Sequence, residues 1–389
     1  MRVLVCAAEA PLPPPTGFRI VVSALLQQLR ARHEIRVLAL RGPGQDAAAP
    51  AGGQLLPRRG RSRADDSLLL ARAVVRRRPL RADDLAAQLR PALAEELDRF
   101  RPDVVHVTPG RLAALADLLD GRPSVLAPLD AWHLGLEAVS GGASGLRRHL
   151  LPGELRRVRR FEATQYRRFR RVVVVSEADR RALEALDPRM RVAVVPNGVD
   201  LEHFIPDPSA RRDEHRLVLT GVMSFAPNVA AAEVLAREVL PRLRVVHPGA
   251  HLALVGRTPS PAVRALASLP GVEVTGEVPD VRPWLTGSRV FACPVRSGTG
   301  IRNKVLEAMA CGLPCVVTPL ALGGLTVEPG RHLLVGGSVD DLVGHLSQVL
   351  QDDGAALALG RAAREYVVAR HGWPAAAAAY ESVYREAGA

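Results

Sequence analysis

The chain contains two successive series of short, predominantly apolar segments, spaced widely enough to leave room for helices between them. The segments are residues 3–6, 35–39, 102–107, 124–127, 171–176 and 192–195 in the first series, and 217–221, 251–256, 272–276, 290–294 and 314–318 in the second. A strand that is apolar on consecutive residues is buried on both faces, which is typical of a parallel sheet covered by helices. The pattern therefore predicts an α/β fold with two Rossmann-like, doubly wound sheets.

A turn signal, Pro196-Asn-Gly-Val-Asp200, marks the point where the strand–helix alternation starts again. At 389 residues the chain is also longer than one hydrophobic core usually organises. We expect an N-terminal domain over residues 1–198 and a C-terminal domain over residues 199–373. A helix is expected over residues 374–389, and packing back on the N-terminal domain is one arrangement for it. In two such domains the carboxyl ends of the strands face a central cleft, where ligands bind.

The net charge of +12 raises the question of an anionic partner. Nucleic-acid binders usually combine basic with aromatic side chains for stacking. Aromatic residues make up only 4% of this chain, so we predict no nucleic-acid partner. The arginines concentrate in residues 58–81 and 147–171. Such a surface indicates peripheral contact with an anionic membrane or a solvated face in an arginine-biased protein, and the sequence leaves both interpretations open.

The N-terminal segment, Met1 to Pro11, lacks the long apolar region of a signal peptide, and no segment has the roughly 18 uninterrupted apolar residues of a membrane span. The cysteines lie in apolar segments without a CxxC pair, which predicts reduced, buried side chains and neither a disulfide nor a metal site. We expect a cytoplasmic protein without a cofactor, which acts at the inner face of the membrane if its basic surface binds lipid. The cysteines are Cys6, Cys293, Cys311 and Cys315.

Lys304 is the only lysine among 52 basic residues. It lies in the segment Arg296-Ser-Gly-Thr-Gly-Ile-Arg-Asn-Lys-Val-Leu-Glu-Ala-Met-Ala-Cys-Gly-Leu-Pro314. A lysine ammonium is a compact point charge that suits a phosphate oxygen, whereas a guanidinium is a wider planar fork. The glycine-containing loop enters a helix, whose first N–H groups and dipole favour a diphosphate. We therefore predict a phosphate site here, to which Lys304 and Arg302 contribute full charges.

These residues resemble the donor-binding domain of family 4 glycosyltransferases, which have the GT-B fold. The matching segments are residues 195–204, 254–257, 274–282 and 298–314, and residues 174–179 with the loop before Gly17 are similar to the acceptor domain. In detail the chain is similar to a bacterial branch associated with exopolysaccharide and protein-sorting gene clusters. That branch shares Pro227-Asn228 and the Gly-Ile-Arg-Asn-Lys sequence. The resemblance implies a retaining, metal-independent transferase that uses a nucleotide-diphosphate sugar.

The resemblance also implies roles for individual residues. Glu307 matches a glutamate that accepts hydrogen bonds from both ribose hydroxyls, which suits a planar group with two acceptor oxygens. Arg257 follows a strand and approaches either the diphosphate or the base, unless it forms a surface salt bridge. The substrate-binding positions implied on the donor side are Arg257, Arg296, Ser297, Gly298, Thr299, Gly300 and Glu307.

Two departures from the family pattern affect the donor site. Thr299 stands where the family has a second glutamate that contacts the donor sugar, so the identity of the sugar stays open. The family's Arg and Lys after the first strand of this domain fall on Val222 and Pro227. The positive charge for the phosphates must then come from elsewhere, which places it on Arg296, Arg302 and Lys304.

On the acceptor side the sequence offers fewer signals. Gly17 permits close approach of a diphosphate to the backbone, or simply forms a turn. Asp130 and His133 follow the strand at residues 124–127, in the region where the family carries a histidine that contacts the donor sugar, and we assign both to catalysis. His106 lies inside a strand and is predicted to be a packed core histidine.

We therefore predict a retaining hexosyltransferase that transfers a sugar from a nucleotide-diphosphate sugar to a glycan, lipid-linked or small-molecule acceptor. The departing phosphate takes the acceptor proton, so no side-chain nucleophile is required. Three alternatives stay open: a GT-B sugar-nucleotide epimerase, a phosphorylase with pyridoxal phosphate on Lys304, and a basic protein that binds or modifies nucleic acid.

Overall fold

The computed structural model describes residues 1–11, 17–42, 53–58, 78–79, 82–140, 146–297 and 302–389. The chain forms two compact units. Unit 1 contains residues 1–197 together with residues 373–389, and unit 2 contains residues 198–372. The Pro-rich loop before Gly17 and most of the basic segment at residues 58–81 lie outside the described residues.

Unit 1 is a parallel sheet of seven strands in the order β3-β2-β1-β4-β5-β6-β7. Its strands are β1 (Arg2–Ala7), β2 (Glu34–Arg41), β3 (Gln54–Pro57), β4 (Val104–Thr108), β5 (Ser124–Leu129), β6 (Arg171–Val174) and β7 (Val192–Val194). Its helices are α1 (Gly17–Arg30), α2 (Ala82–Phe100), α3 (Trp132–Ser140), α4 (Leu146–Gln165) and α5 (Glu177–Leu186). Alternate residues of β1 enter different cores on the two faces of the sheet, since Leu4 packs with α2 and Val3 packs with α1. Burial on both faces explains why these strands are continuously apolar.

Unit 2 is a parallel sheet of six strands in the order β10-β9-β8-β11-β12-β13. Its strands are β8 (Asp213–Thr220), β9 (His251–Val255), β10 (Val272–Gly276), β11 (Ser288–Cys293), β12 (Cys315–Val317) and β13 (Leu334–Val335). Its helices are α6 (Ala226–Val234), α7 (Leu240–Val246), α8 (Pro261–Ala265), α9 (Arg282–Thr286), α10 (Asn303–Ala310), α11 (Val339–Gln351) and α12 (Asp353–Arg370). The architecture confirms the predicted α/β class with two Rossmann-like domains.

The chain between β8 and β9 does not form one continuous α-helix. A π-helical segment, Leu235–Val239, separates α6 from α7. Pro241 lies in the first turn of α7 and has no N–H to donate to a carbonyl in the preceding turn. Loss of that donor is a known cause of an irregular turn inside a helix.

The last helix, α13 (Trp373–Gly388), belongs to unit 1. Trp373, Tyr380 and Tyr384 lie in the same core as the α1-facing residues of β1. The hydroxyl of Tyr384 and Nδ1 of His106 are 2.6 Å apart, and burial lowers the pKa of His106 to about 4. His106 is therefore a packed core histidine, as predicted.

Candidate functional site

The order of strands in unit 2 reverses between β8 and β11. From β8 the chain proceeds outward to β9 and β10, and from β11 it proceeds in the opposite direction to β12 and β13. In an open parallel sheet the helices on either side of such a reversal separate, which leaves a crevice at the carboxyl ends of the two strands. Residues that follow β8 and β11 are therefore the first candidates for ligand contact.

Two glycines form the rim at the carboxyl ends of β8 and β9. Gly221 and Gly256 have φ angles of +148° and +147°, which side chains disfavour. A Cβ atom on Gly256 would lie 1.8 Å from the carbonyl oxygen of Gly221. The Gly221 N–H also donates to the carbonyl of Val255 at 3.0 Å. Both positions must be glycine, because the two backbone segments touch here and leave a rim without side chains.

Helix α10 starts beside this rim and carries the predicted charges. Its sequence is rich in strong helix formers, and it ends where Gly312 adopts a φ of +70°. Arg302 is the N-cap residue and makes no side-chain cap, and the first turn contains no acidic residue. Nη2 of Arg302 donates to the carbonyl of Ser297 at 3.2 Å. The amino end of α10 thus presents its dipole and a guanidinium, and its first turn adds no negative charge.

Lys304 lies in the first turn of α10 and contacts the first turn of α6. Its Nζ donates to Oδ1 of Asn228, a residue that is 5% exposed. Nδ2 of Asn228 donates to the carbonyl of Val222 at 2.9 Å. Burial lowers the pKa of Lys304, and the neighbouring Arg302 lowers it further. This contact joins α6 to α10 across the strand reversal.

Glu307 follows Lys304 by one turn and is half-buried. Burial raises the pKa of its carboxyl from 4.5 to about 7, and the positive charge of Lys304 opposes the shift. Within the part of the chain that the structure describes, no hydrogen bond reaches this carboxylate. Two acceptor oxygens without donors are suited to a ligand that brings hydroxyl groups.

The other donor-side predictions have mixed outcomes. Arg257 directly follows Gly256, is half-buried, and accepts a hydrogen bond at its carbonyl from the Met223 N–H at 3.0 Å. Arg296 is exposed and Ser297 is half-buried after the end of β11. The structure thus places these residues at the same edge of the sheet as Lys304. The predicted positions Gly298, Thr299 and Gly300 lie outside the described residues.

Asn228 is a residue of this edge to which sequence analysis gave no role. It was noted only as part of a shared Pro-Asn pair. A buried amide at the start of a helix is one signal that could have identified it, because such a group needs partners for both of its polar atoms. Its pairing with Lys304 could not be predicted, since 76 residues separate them.

The carboxyl edge of unit 1 contains a buried histidine–carboxylate pair. Nδ1 of His133 and Oε2 of Glu162 are 2.6 Å apart, and the Trp132 N–H donates to Oε1 of the same carboxylate at 2.7 Å. His133 and Glu162 are 4% and 0% exposed. Burial raises the pKa of Glu162, and the hydrogen bond from His133 opposes the shift. Asp130 lies three residues before His133 and is half-buried.

Sequence analysis missed Glu162, which lies among arginines on α4 and resembles a solvated helix charge. It meets His133 only because α4 packs beside α3.

Gly17 is exposed and is the first residue of α1. One turn into the same helix, the buried Arg19 pairs with Glu9 at 3.1 Å after the end of β1.

Apolar side chains alternate with the arginines in the basic surface at residues 147–171, and a membrane-binding face would expose them. Val158, Phe161 and Phe169 are instead buried in unit 1. Many of the arginines pair with carboxylates: Arg157 with Glu154, Arg159 with Glu137, Arg167 with Asp187, Arg168 with Asp120 and Arg171 with Glu386. The apolar part of the predicted membrane surface is therefore absent at these three positions.

Three arginines of this surface are exposed and form no ion pair with any described residue: Arg156, Arg160 and Arg170.

Of the helices in the described ranges, none is both long and apolar enough to cross a bilayer. Over the same ranges, His, Cys, Asp and Glu side chains form no group that could hold a metal ion. All four cysteines are free and buried, as predicted.

Two family models match the chain. One, described as "Glycosyltransferase Family 4", matches residues 15–203, and the other, "Glycosyl transferases group 1", matches residues 214–352. A GDP-mannose-dependent α-(1-6)-phosphatidylinositol monomannoside mannosyltransferase of Mycobacterium tuberculosis is 30% identical over 223 residues. That alignment covers 51% of this chain and 57% of the relative, so the chain spans little more than half of the relative's length.

Solved structures share the fold over nearly the whole chain. Sucrose-phosphate synthase from Thermosynechococcus elongatus superposes with a TM-score of 0.76 at 17% identity, covering 99% of this chain and 98% of that one. Anabaena HepE in complex with UDP gives a TM-score of 0.68 at 15% identity, covering 98% and 99%. At these identities the similarity concerns the fold alone.

Proposed function

The chain belongs to the family 4 glycosyltransferases of the GT-B fold, and from this premise we propose that it is a retaining hexosyltransferase that uses a nucleotide-diphosphate sugar. The observation that carries the proposal is the cluster at the strand reversal of unit 2. There the ammonium of Lys304, the guanidinium of Arg302 and the unpaired carboxylate of Glu307 share one short helix.

In this proposal each group of the cluster contacts one part of the donor. Lys304 and Arg302 bind the diphosphate, and the amino end of α10 adds its N–H groups. Glu307 accepts hydrogen bonds from the ribose hydroxyls, which removes the cost of burying its charge. Arg257 and Arg296, at the ends of β9 and β11, supply further positive charge near the phosphates.

The reaction that fits these groups is a displacement on one face of the sugar. As the glycosidic bond to the phosphate breaks, negative charge grows on the departing nucleoside diphosphate, where Lys304 and Arg302 stabilise it. An oxygen of the departing phosphate takes the proton of the attacking acceptor hydroxyl, and the new bond forms on the face that the phosphate leaves. We assign His133 to the hydroxyls of the transferred sugar, with Glu162 holding its ring.

For the donor, GDP-mannose is the first nucleotide sugar to test, because the M. tuberculosis relative is named for it. For the acceptor we propose a glycolipid at an anionic membrane surface. The name of the same relative includes a phosphatidylinositol acceptor, and Arg156, Arg160 and Arg170 offer unpaired positive charge to such a surface.

A thermal-shift panel tests the donor site, because a ligand that binds only the folded state raises its stability by mass action. GDP, UDP, GDP-mannose and UDP-glucose are each added to the pure protein. One nucleoside diphosphate and the corresponding nucleotide sugar should both raise the Tm. The nucleoside with the same base should not. NMR of the product formed with a glycolipid acceptor then reports the anomeric configuration. Absence of any shift would refute the donor site, and an inverted anomer would refute the retaining mechanism.

A further inference from the structure

The contact between Asn228 and Lys304 indicates a role for Asn228 that the family resemblance does not include. Val222 in the loop after β8 and Pro227 in the first turn of α6 stand at the positions where the resemblance expected cations. Asn228, the next residue of α6, instead accepts a hydrogen bond from a cation on α10. The positive charge near the end of β8 therefore comes from α10 and not from the segment that follows β8.

The orientation of the Asn228 amide follows from its neighbours. The amide nitrogen is a donor and the amide oxygen an acceptor, so the neighbouring groups decide which way the amide faces. Here Nδ2 must face the carbonyl of Val222, 2.9 Å away, because that carbonyl can only accept. Oδ1 is therefore directed at the ammonium of Lys304. Both polar ends of this buried side chain have a partner.

An amide acceptor holds the ammonium without neutralising it. A carboxylate at this position would form an ion pair and offset the positive charge, whereas the amide oxygen carries only a partial charge. An ammonium has three N–H groups. Asn228 uses one, and no second acceptor for Lys304 occurs among the residues that the structure describes. The remaining N–H groups are available to an anion.

The space around this ammonium is kept open by glycine. A Cβ atom on Gly221 would lie 2.7 Å from Nδ2 of Asn228 and 3.2 Å from Nζ of Lys304. Any other residue at the end of β8 would displace the pair. Burial of Lys304 lowers its pKa, and the facing groups Arg302, Glu307 and Cys293 act on the same ammonium. Glu307 is one turn away and raises the pKa, as Cys293 does, while Arg302 lowers it.

We propose that Asn228 is a positioning residue that holds the charged ammonium of Lys304 at the carboxyl end of β8, so that it binds the diphosphate of the donor. This inference rests on the proposed function. It concerns the same site but assigns a role to a side chain for which the family pattern has none. The ligand class is a nucleoside diphosphate, and the readout is its dissociation constant.

Two variants separate positioning of a charge from a merely structural role. Asn228→Asp keeps the size of the side chain and an oxygen beside Lys304, but adds a negative charge. Asn228→Ala removes the contact and leaves a small cavity. Asp also lacks the N–H that bonds the Val222 carbonyl, so a merely structural role predicts losses of affinity that follow the losses of unfolding free energy and do not depend on Lys304. Our proposal predicts that Asn228→Asp binds the diphosphate more weakly than Asn228→Ala, because the carboxylate pairs with Lys304 and repels the diphosphate, and that the loss in Asn228→Ala requires Lys304.

Calorimetry with GDP and UDP on the full chain measures the effect at neutral pH. We expect Kd to rise about 5-fold in Asn228→Ala and about 30-fold or more in Asn228→Asp, in line with the loss of one and then of several charge-assisted contacts. Ser224→Ala is the matched control. Ser224 lies in the loop between β8 and α6 and bonds Thr258 at 3.1 Å without contacting Lys304. Its Kd should not change.

A double-mutant cycle keeps the test decisive if Asn228→Asp folds poorly. In a Lys304→Met background, where no ammonium remains, Asn228→Ala should not weaken binding further. Equal losses with and without Lys304 would overturn the proposal, as would an Asp variant that binds as well as the Ala variant. If wild-type protein binds neither GDP nor UDP, the proposed function fails first.

Discussion

The two units have the same sheet architecture, but their carboxyl edges contain opposite kinds of chemistry. In unit 2 a cation from α10, Lys304, is held by a neutral amide, so its charge is kept. In unit 1 a carboxylate, Glu162, is buried against the imidazole of His133 and a backbone N–H. The first arrangement suits an anion, and the second fixes a ring that can exchange hydrogen bonds with hydroxyl groups.

The comparison shows how one fold can supply different sites. Strand order decides where a crevice forms, and it does so similarly in both sheets. The side chains at the two carboxyl edges come from different parts of the helices, Lys304 and His133 from first turns and Glu162 from the last turn of α4. They can diverge between the units without any change in the sheets.

The largest expected effect tests the unit 2 edge. Lys304→Met should weaken nucleoside-diphosphate binding by roughly 100-fold, because charge-assisted hydrogen bonds contribute about 1.5–3 kcal/mol. Lys304→Arg keeps the charge but should lower kcat, since a planar guanidinium does not fit the space bounded by Gly221. Arg242→Met, which removes an exposed cation elsewhere in unit 2, is the control. Wild-type kinetics in both Lys304 variants would show that this edge does not bind the phosphates.

A pH measurement tests the unpaired carboxylate. The pKa of Glu307 is raised from 4.5 to about 7 in the folded protein, so the folded state retains a proton that the unfolded state releases. Stability should therefore fall as pH rises from about 4.5 to about 7, and stay level above. The unfolding free energy lost over this range is at most about 3 kcal/mol. The loss is smaller than this limit because water still solvates part of the half-buried Glu307 side chain. The difference in unfolding free energy between wild type and Glu307→Gln isolates this effect. A difference that is independent of pH would contradict it.

Glu307→Gln should also weaken nucleotide binding, by about 1.5–3 kcal/mol or roughly 10- to 100-fold, as a charged acceptor becomes a neutral one. Inorganic pyrophosphate has no ribose, so its affinity should not fall. Calorimetry with both ligands makes the comparison. An equal loss for pyrophosphate would mean that Glu307 acts on the phosphate charges and not on the ribose.

The unit 1 edge should respond differently. Glu162→Gln removes the charge that holds the ring of His133, and we expect kcat to fall about 10-fold with little change in the Kd of the nucleoside diphosphate. Glu184→Gln on α5, which loses a surface pair with Arg180, is the control. A larger effect on nucleotide affinity than on turnover would remove the distinction drawn between the two edges.

The smallest effect concerns the basic surface. Each exposed arginine near an anionic membrane contributes on the order of 1 kcal/mol. Replacing Arg160 and Arg170 by Ser should reduce co-sedimentation with anionic vesicles about 10-fold or more at low salt. Neutral vesicles and high salt are the controls. If wild-type protein stays in the supernatant with every vesicle type, the acceptor is a soluble molecule and this surface is solvated.

The strands could be predicted from the sequence because burial on both faces makes them continuously apolar, as at residues 251–256. Edge strands have shorter runs of apolar residues. The sequence analysis therefore did not predict β3 or the two-residue β13. Lys304 was found as the only lysine of the chain, in a glycine-containing segment before a helix, and Glu307 was found from its match to the family's glutamate. Asn228 and Glu162 were not, because their partners are fixed by how loops and helices dock, which no local spacing encodes.

The return of α13 to unit 1 has a consequence for the order in which the protein is made. Unit 2 is continuous in the chain, whereas unit 1 needs residues 373–389 to cover Val3, His106 and Ala127. During synthesis the N-terminal sheet therefore leaves the ribosome with one apolar face covered by α1 alone. It stays so while all of unit 2 is translated. A chaperone that binds nascent apolar surface would be expected to hold that face until Tyr384 has emerged.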